Sequence, residues 1–217
     1  NVSVGEGIDG LLGLSVRLYA GEGRSVVTSL GAYPTFNFHV AGFGARLVTV
    51  PYRDDREDLD GLLAAVRREN APLVYLSNPD NPMGSWWDAA EIDRFVAAMP
   101  EATMVLLDEA YGETAPASAI PAIDVSRPNL LRFRTFSKAY GLAGLRCGYV
   151  FGEAAAIADF DKVRNHYGMT RMAQAAGLQW VQSEAERLAA GQAASAAAPA
   201  PSRVPREGPA PVVLDDA

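Results

Sequence analysis

The chain has 217 residues, of which 49% are hydrophobic, 9% aromatic and 21% charged, with a formal net charge of -7. This is globular composition, long enough for one large domain whose core needs no covalent staples. The acidic balance without any Lys/Arg run argues against nucleic acid, no apolar run reaches the ~18–20 residues of a membrane span, and the single cysteine, Cys147, excludes an internal disulfide framework.

One unpaired cysteine suits a reducing cytoplasm, no signal peptide is visible, and no metal is expected. The chain begins at Asn1 rather than Met, so a true N-terminus is expected to lie upstream. Its first pattern is Val4-Gly5-Glu6-Gly7-Ile8-Asp9, ahead of apolar periodicity at Leu11, Leu12, Leu14 and Leu18. Glycines opening a helix offer backbone N–H groups to an anion, although an ordinary loop has the same composition. A β-branched run at 26–28 predicts a strand, followed by Gly31-Ala32-Tyr33-Pro34-Thr35-Phe36. Tyr33 can stack on a flat ring or simply join the core. His39 falls in a mixed helical stretch with Phe36, Phe38, Val40 and Phe43, and is read as structural.

A strand at 47–50 and a helix at 59–68 follow, then a strand at 73–76 that runs into Ser77-Asn78-Pro79-Asp80-Asn81-Pro82-Met83-Gly84. Two Asn-Pro pairs make a stiff loop, able to hold a side-chain amide against a ligand oxygen. The helix predicted at 89–99 puts Ile92, Phe95, Val96 and Met99 on one face. The next strand, 104–107, ends in Asp108-Glu109-Ala110-Tyr111. A buried Asp108 needs a cationic partner, or else caps a helix; Glu109 faces solvent or a structural partner.

After a strand at 129–133 comes Thr135-Phe136-Ser137-Lys138-Ala139-Tyr140-Gly141-Leu142-Ala143-Gly144-Leu145-Arg146. A lysine kept out of water among small residues becomes a nucleophile toward a carbonyl. Thr135 and Ser137 offer hydroxyls, Arg146 offers a planar fork suited to phosphate, and Gly141 and Gly144 let backbone pass close to a ligand. The last strand is expected at 147–151 and the last helix from 170 to 188, stopping near Gly191. His166, before that helix, is read as a linker residue or as facing a substrate. Residues 192–217 hold eight Ala and five Pro and are expected to be a disordered tail. The alternation predicts an α/β fold, a mostly parallel sheet with helices on both faces, with ligands beyond the carboxyl ends of the strands.

Taken together, these motifs resemble fold-type I pyridoxal 5'-phosphate (PLP) enzymes, namely the class I/II aminotransferases and within them the histidinol-phosphate aminotransferase-like branch. The resemblance covers about residues 1–190. It implies a PLP-binding large domain at 1–168, a long helix at 169–191 leading toward a small domain missing here, and the tail at 192–217. It implies that Lys138 forms the Schiff base and shuttles a proton, that Asp108 pairs with the pyridine nitrogen, and that Asn81 and Tyr111 hydrogen-bond the ring oxygen. Tyr33 would stack on the ring, while Arg146, Ser137, Thr135 and the Gly5-Glu6-Gly7 backbone would hold the phosphate. The implied reaction is ping-pong transamination through an aldimine between an amino acid or amino-alcohol phosphate and a 2-oxo acid, in a cytoplasmic homodimer. A PLP-dependent decarboxylase or β-lyase, or a catalytically inactive PLP-binding fragment, remains open. Met83 stands where the resemblance calls for Thr, and Arg203 and Arg206 are poor matches to the arginine that grips a substrate carboxylate.

Overall fold

The structure, a computed structural model, describes residues 1–175 and 177–179. Residues Asn1–Gly177 form one compact unit. Its centre is a seven-stranded sheet of β1 (Val2–Gly5), β2 (Ser25–Ser29), β3 (Arg46–Val50), β4 (Leu73–Ser77), β5 (Met104–Asp108), β6 (Leu130–Thr135) and β7 (Gly148–Gly152), in the order β1-β7-β6-β5-β4-β2-β3. Strands β6, β5, β4, β2 and β3 run parallel to one another, and β7 is antiparallel to both neighbours. The predicted mostly parallel α/β sheet is therefore the one observed, and the carboxyl ends of β2, β4, β5 and β6 share one edge.

Successive strand residues point to opposite faces, which divides the core in two. Leu73, Tyr75 and Leu106 pack under α1 (Ile8–Tyr19), α2 (Pro34–Gly42) and α5 (Ala154–Asp159). Val74, Leu76, Val105 and Leu107 pack under α3 (Leu59–Glu69) and α4 (Ala89–Ala98). Strands buried on both sides explain why 73–77 and 104–108 carry apolar runs rather than alternation. Helix starts follow local chemistry. Asp58 caps α3 by accepting from Gly61 N–H at 3.0 Å, and Asp88 with Glu91 forms a capping box on α4.

Three elements depart from the sequence reading. Val2–Gly5, read as a loop, is an edge strand whose ladder comes wholly from β7. Four residues are too few to show a period, so its existence depends on that partner. The helix α5 was not anticipated either, nor was the reversal of β7. The expected helix at 170–188 is helical at 171–175 and 177–179; its remainder and the tail at 192–217 lie outside the described residues.

The α3/α4 face also buries charge. Glu109 has no exposure, and its two carboxylate oxygens accept from Arg132 Nη2 at 2.6 Å and Arg134 Nε at 2.9 Å. Arg132 donates further to the carbonyls of Pro121 and Ala122, and its guanidinium lies 5.0 Å from the centre of the Phe151 ring. Of the two expectations for Glu109, the structure shows the structural partner. Removing the acid would strand a buried guanidinium. Glu109→Ala is therefore expected to lose about 3–5 kcal/mol of stability, read as a lower urea midpoint at an unchanged slope.

Candidate active site

Tyr75 and Ser77 on β4, Asp108 on β5 and Thr135 on β6 sit at alternating positions that face the α1 side of the sheet at its carboxyl edge. They open into one cleft, completed by loop residues Tyr33, Asn81, Tyr111, Ser137, Lys138 and Arg146. Eight of the eleven residues singled out from sequence thus come together: Tyr33, Asn81, Asp108, Tyr111, Thr135, Ser137, Lys138 and Arg146. Of the other three, Gly7 touches Arg146, while Gly5 and Glu6 line an adjacent cavity with His166. Ile8 and Asp9 line the cleft in their place.

Asp108 is 4% exposed. Its Oδ1 accepts from Ala110 N–H at 2.9 Å, closing a local turn, and its Oδ2 accepts from the Tyr75 hydroxyl at 2.7 Å; the short helical turn that follows, Gly112–Thr114, is preceded by Tyr111, so Asp108 caps no helix. Burial raises the Asp108 pKa to about 6, against the lowering effect of these two donors and of the Lys138 charge. A carboxylate in this position gains from any cation that enters the cleft.

Lys138 stands on the rim. The expectation that it is kept out of water is not met, because its neighbours Ala139, Gly141, Ala143 and Gly144 are themselves exposed and too small to cover an ammonium. Its Nζ lies 5.3 Å from the centre of the Tyr111 ring. Arg146 adopts a left-handed backbone with φ 51° and reaches toward the start of α1. There Gly7 has φ 89° and supplies no side-chain cap, which leaves the first N–H groups of α1 without a side-chain acceptor. A Cβ on Gly7 would stand 2.6 Å from Arg146 Nη2, a side-chain end that can move aside, so it is the left-handed φ of 89° that favours glycine here. Ser137 N–H donates to Thr135 Oγ1 at 3.1 Å, closing the turn beside this cradle.

The two asparagines of the Asn-Pro loop divide their work. Asn78 is buried and structural, donating to the carbonyls of Ala119 and Trp87 and accepting from Trp87 N–H. Asn81 faces the cleft. Under the loop, Asp80 accepts from the Tyr52 hydroxyl and from Met83 N–H at 3.1 Å, so the Met at 83 enters through its backbone. Glu57 is buried alongside and accepts from Ser77 N–H; burial and then Asp80 push its carboxyl well above the usual range. His39 pairs with Asp9 at 3.2 Å and packs on Gly13, in keeping with a structural role.

Sequence reasoning missed Tyr75, Ser77, Ile8 and Asp9. Tyr75 sits inside an apolar strand and reads as core; the one available signal was its phase, two residues before Ser77 on the face that leads to the loop.

These features set a pH dependence. The folded pKa of Asp108 lies above its unfolded value, so the folded state holds the extra proton, and stability is lost as pH rises from about 4 through about 6. Asp108→Asn is therefore expected to exceed wild type by about 1–3 kcal/mol above pH 7 and to match it near pH 4, as measured by urea denaturation at both pH values.

Comparison with known proteins identifies relatives of the chain as a whole. The family described as Aminotransferase class I and II matches residues 1–198. Histidinol-phosphate aminotransferase 2 of Ralstonia nicotianae is 36% identical over 201 residues, 88% of this chain and 54% of that protein. An aromatic amino acid aminotransferase of a Mycobacterium species is 35% identical over 191 residues, 87% of this chain and 53% of that protein. The crystal structure of histidinol-phosphate aminotransferase from Sinorhizobium meliloti in complex with pyridoxal-5'-phosphate matches with a TM-score of 0.79 at 64% identity, over 80% of this chain and 48% of that one. The chain spans about half the length of these relatives.

Proposed function

The chain belongs to the class I and II aminotransferase family, and from that premise we propose that it is the PLP-binding portion of an enzyme moving an amino group from an amino acid or amino-alcohol phosphate to a 2-oxo acid. The observation that carries this reading is one cleft that joins a lysine, a buried aspartate and an arginine beside an uncapped helix start.

The residues present fit PLP. At one end, the glycine-bounded gap between Gly7 and Arg146, the N–H groups of α1 and the hydroxyls of Thr135 and Ser137 form a donor set for a phosphate. At the other, Asp108 is an acid in want of a cation, and would hold a proton on a ring nitrogen. Asn81 and Tyr111 line the cleft and would donate to a ring oxygen, and Tyr33 would offer a ring face. Bound PLP supplies an electron sink for charge that develops at the substrate α-carbon. Lys138 Nζ would be the amine for covalent attachment; once displaced by a substrate amine, the same nitrogen would take a proton from the substrate α-carbon and deliver it to the cofactor carbon.

The relatives' names support a donor such as histidinol phosphate or an aromatic amino acid. Arg203 and Arg206, weighed for the substrate carboxylate, lie outside the described residues. A homodimer follows the family resemblance, and a single buried cysteine at 147 suits a reducing cytoplasm.

Adding PLP is expected to produce a visible absorption band that Lys138→Ala lacks, and a 2-oxo acid acceptor is expected to gain the amino group. Identical spectra for wild type and variant refute the attachment. Release of carbon dioxide or ammonia in place of transfer redirects the chemistry to decarboxylation or β-elimination.

A further inference from the structure

We propose that Tyr75 is a positioning residue for Asp108: its phenol fixes the carboxylate and keeps it charged for the cation that binds against it. The inference relies on the PLP reading only for the identity of that cation.

The geometry is closed on both sides of the acid. Asp108 Oδ1 is held by Ala110 N–H at 2.9 Å and Oδ2 by the Tyr75 hydroxyl at 2.7 Å, so the carboxylate plane cannot rotate without breaking a buried bond. Tyr75 has no exposure, and its ring stacks on Phe36 with centroids 4.3 Å apart and planes 16° apart. The phenol therefore cannot swing away. Burial and the neighbouring Asp108 hold its own titration well above the ordinary phenol range, so it remains a donor at any working pH.

Other influences act on the acid as well. Burial and Glu109 favour its neutral form, while Ala110 N–H and Lys138 favour the charged one. Glu57, buried behind Ser77, feels the Asp108 charge in turn. Lys138 acts on Asp108 less strongly than Tyr75 and Ala110, consistent with its place on the solvent-open rim, and Tyr75 is the strongest influence that favours charge. A phenylalanine would fill the space against Phe36 equally well, so packing alone does not account for the hydroxyl.

The test compares three forms of the chain: wild type, Tyr75→Phe, and a form with 3-fluorotyrosine at position 75, whose shape is nearly the same but whose phenol is the stronger donor. The midpoint of Asp108 is read by carboxyl-13C NMR without cofactor. Tyr75→Phe is expected to raise that midpoint by about one to two pH units, and fluorotyrosine to lower it. Equal midpoints in all three overturn the proposal. Should Tyr75→Phe not fold, the fluorotyrosine form decides by itself. With PLP present, the Phe variant is expected to bind several-fold more weakly at pH 7 and to recover at pH 9, where the acid is charged in both. An equal loss at both pH values assigns the tyrosine to packing and refutes the role. If wild type takes up no PLP, the PLP reading fails while the NMR titration still decides the coupling.

Discussion

A carboxylate buried at the end of a central strand is the constraint around which this molecule is organised. Asp108 sits where β5 runs out of sheet, between β4 and β6, and its charge has left water. An isolated acid in such a place would neutralise itself. It is kept close to ionisation by donors that the sheet delivers in register: Tyr75 from the adjacent strand, Ala110 from its own turn, and the more distant Lys138 from the loop after β6. Parallel pairing puts those carboxyl ends side by side, and the pleat turns their alternate residues to the same face.

The cleft is polar in two different ways. One end is rich in donors: the opening N–H groups of α1, the Arg146 guanidinium and the Thr135–Ser137 turn. The other has an acceptor without a cation. A ligand with an anionic group at one end and a basic ring atom at the other satisfies both, which is why cofactor chemistry emerges from the donor set before any single residue is assigned a step. The loops that carry the remaining contacts are held rigidly. Asn78 ties the Asn-Pro loop to Trp87 and Ala119, and Asp80 ties it to Tyr52, leaving Asn81 to face inward.

Much of this was legible in the sequence because the chemistry lies in contiguous strings just after strands. The lysine–arginine segment, the doubled Asn-Pro loop and the Asp-Glu-Ala-Tyr strand end all reached the predicted cleft. What sequence did not reveal depends on partners far along the chain. Tyr75 is indistinguishable from a core tyrosine until β5 is placed beside β4. The strand Val2–Gly5 exists only because β7 turns back to pair with it. The openness of Lys138 was hidden because small neighbours read equally well as close packing or as bare rim. Gly5 and Glu6 were chosen by motif, whereas helix geometry gives their cleft positions to Ile8 and Asp9.

The adjacency of Asp108 and Glu109 carries a further consequence. Two acids next to each other in sequence end on opposite sides of the sheet, one among arginines and the other facing the cleft. The sheet works as a partition between a neutralised ion cluster and an acid still available to a ligand. Slipping β5 by one position would exchange them, delivering the cleft's acid to Arg132 and Arg134 and leaving Glu109 facing Tyr75. This strand therefore tolerates no inserted or deleted residue: a single-residue frame error would cost the molecule its support on one side and its chemistry on the other.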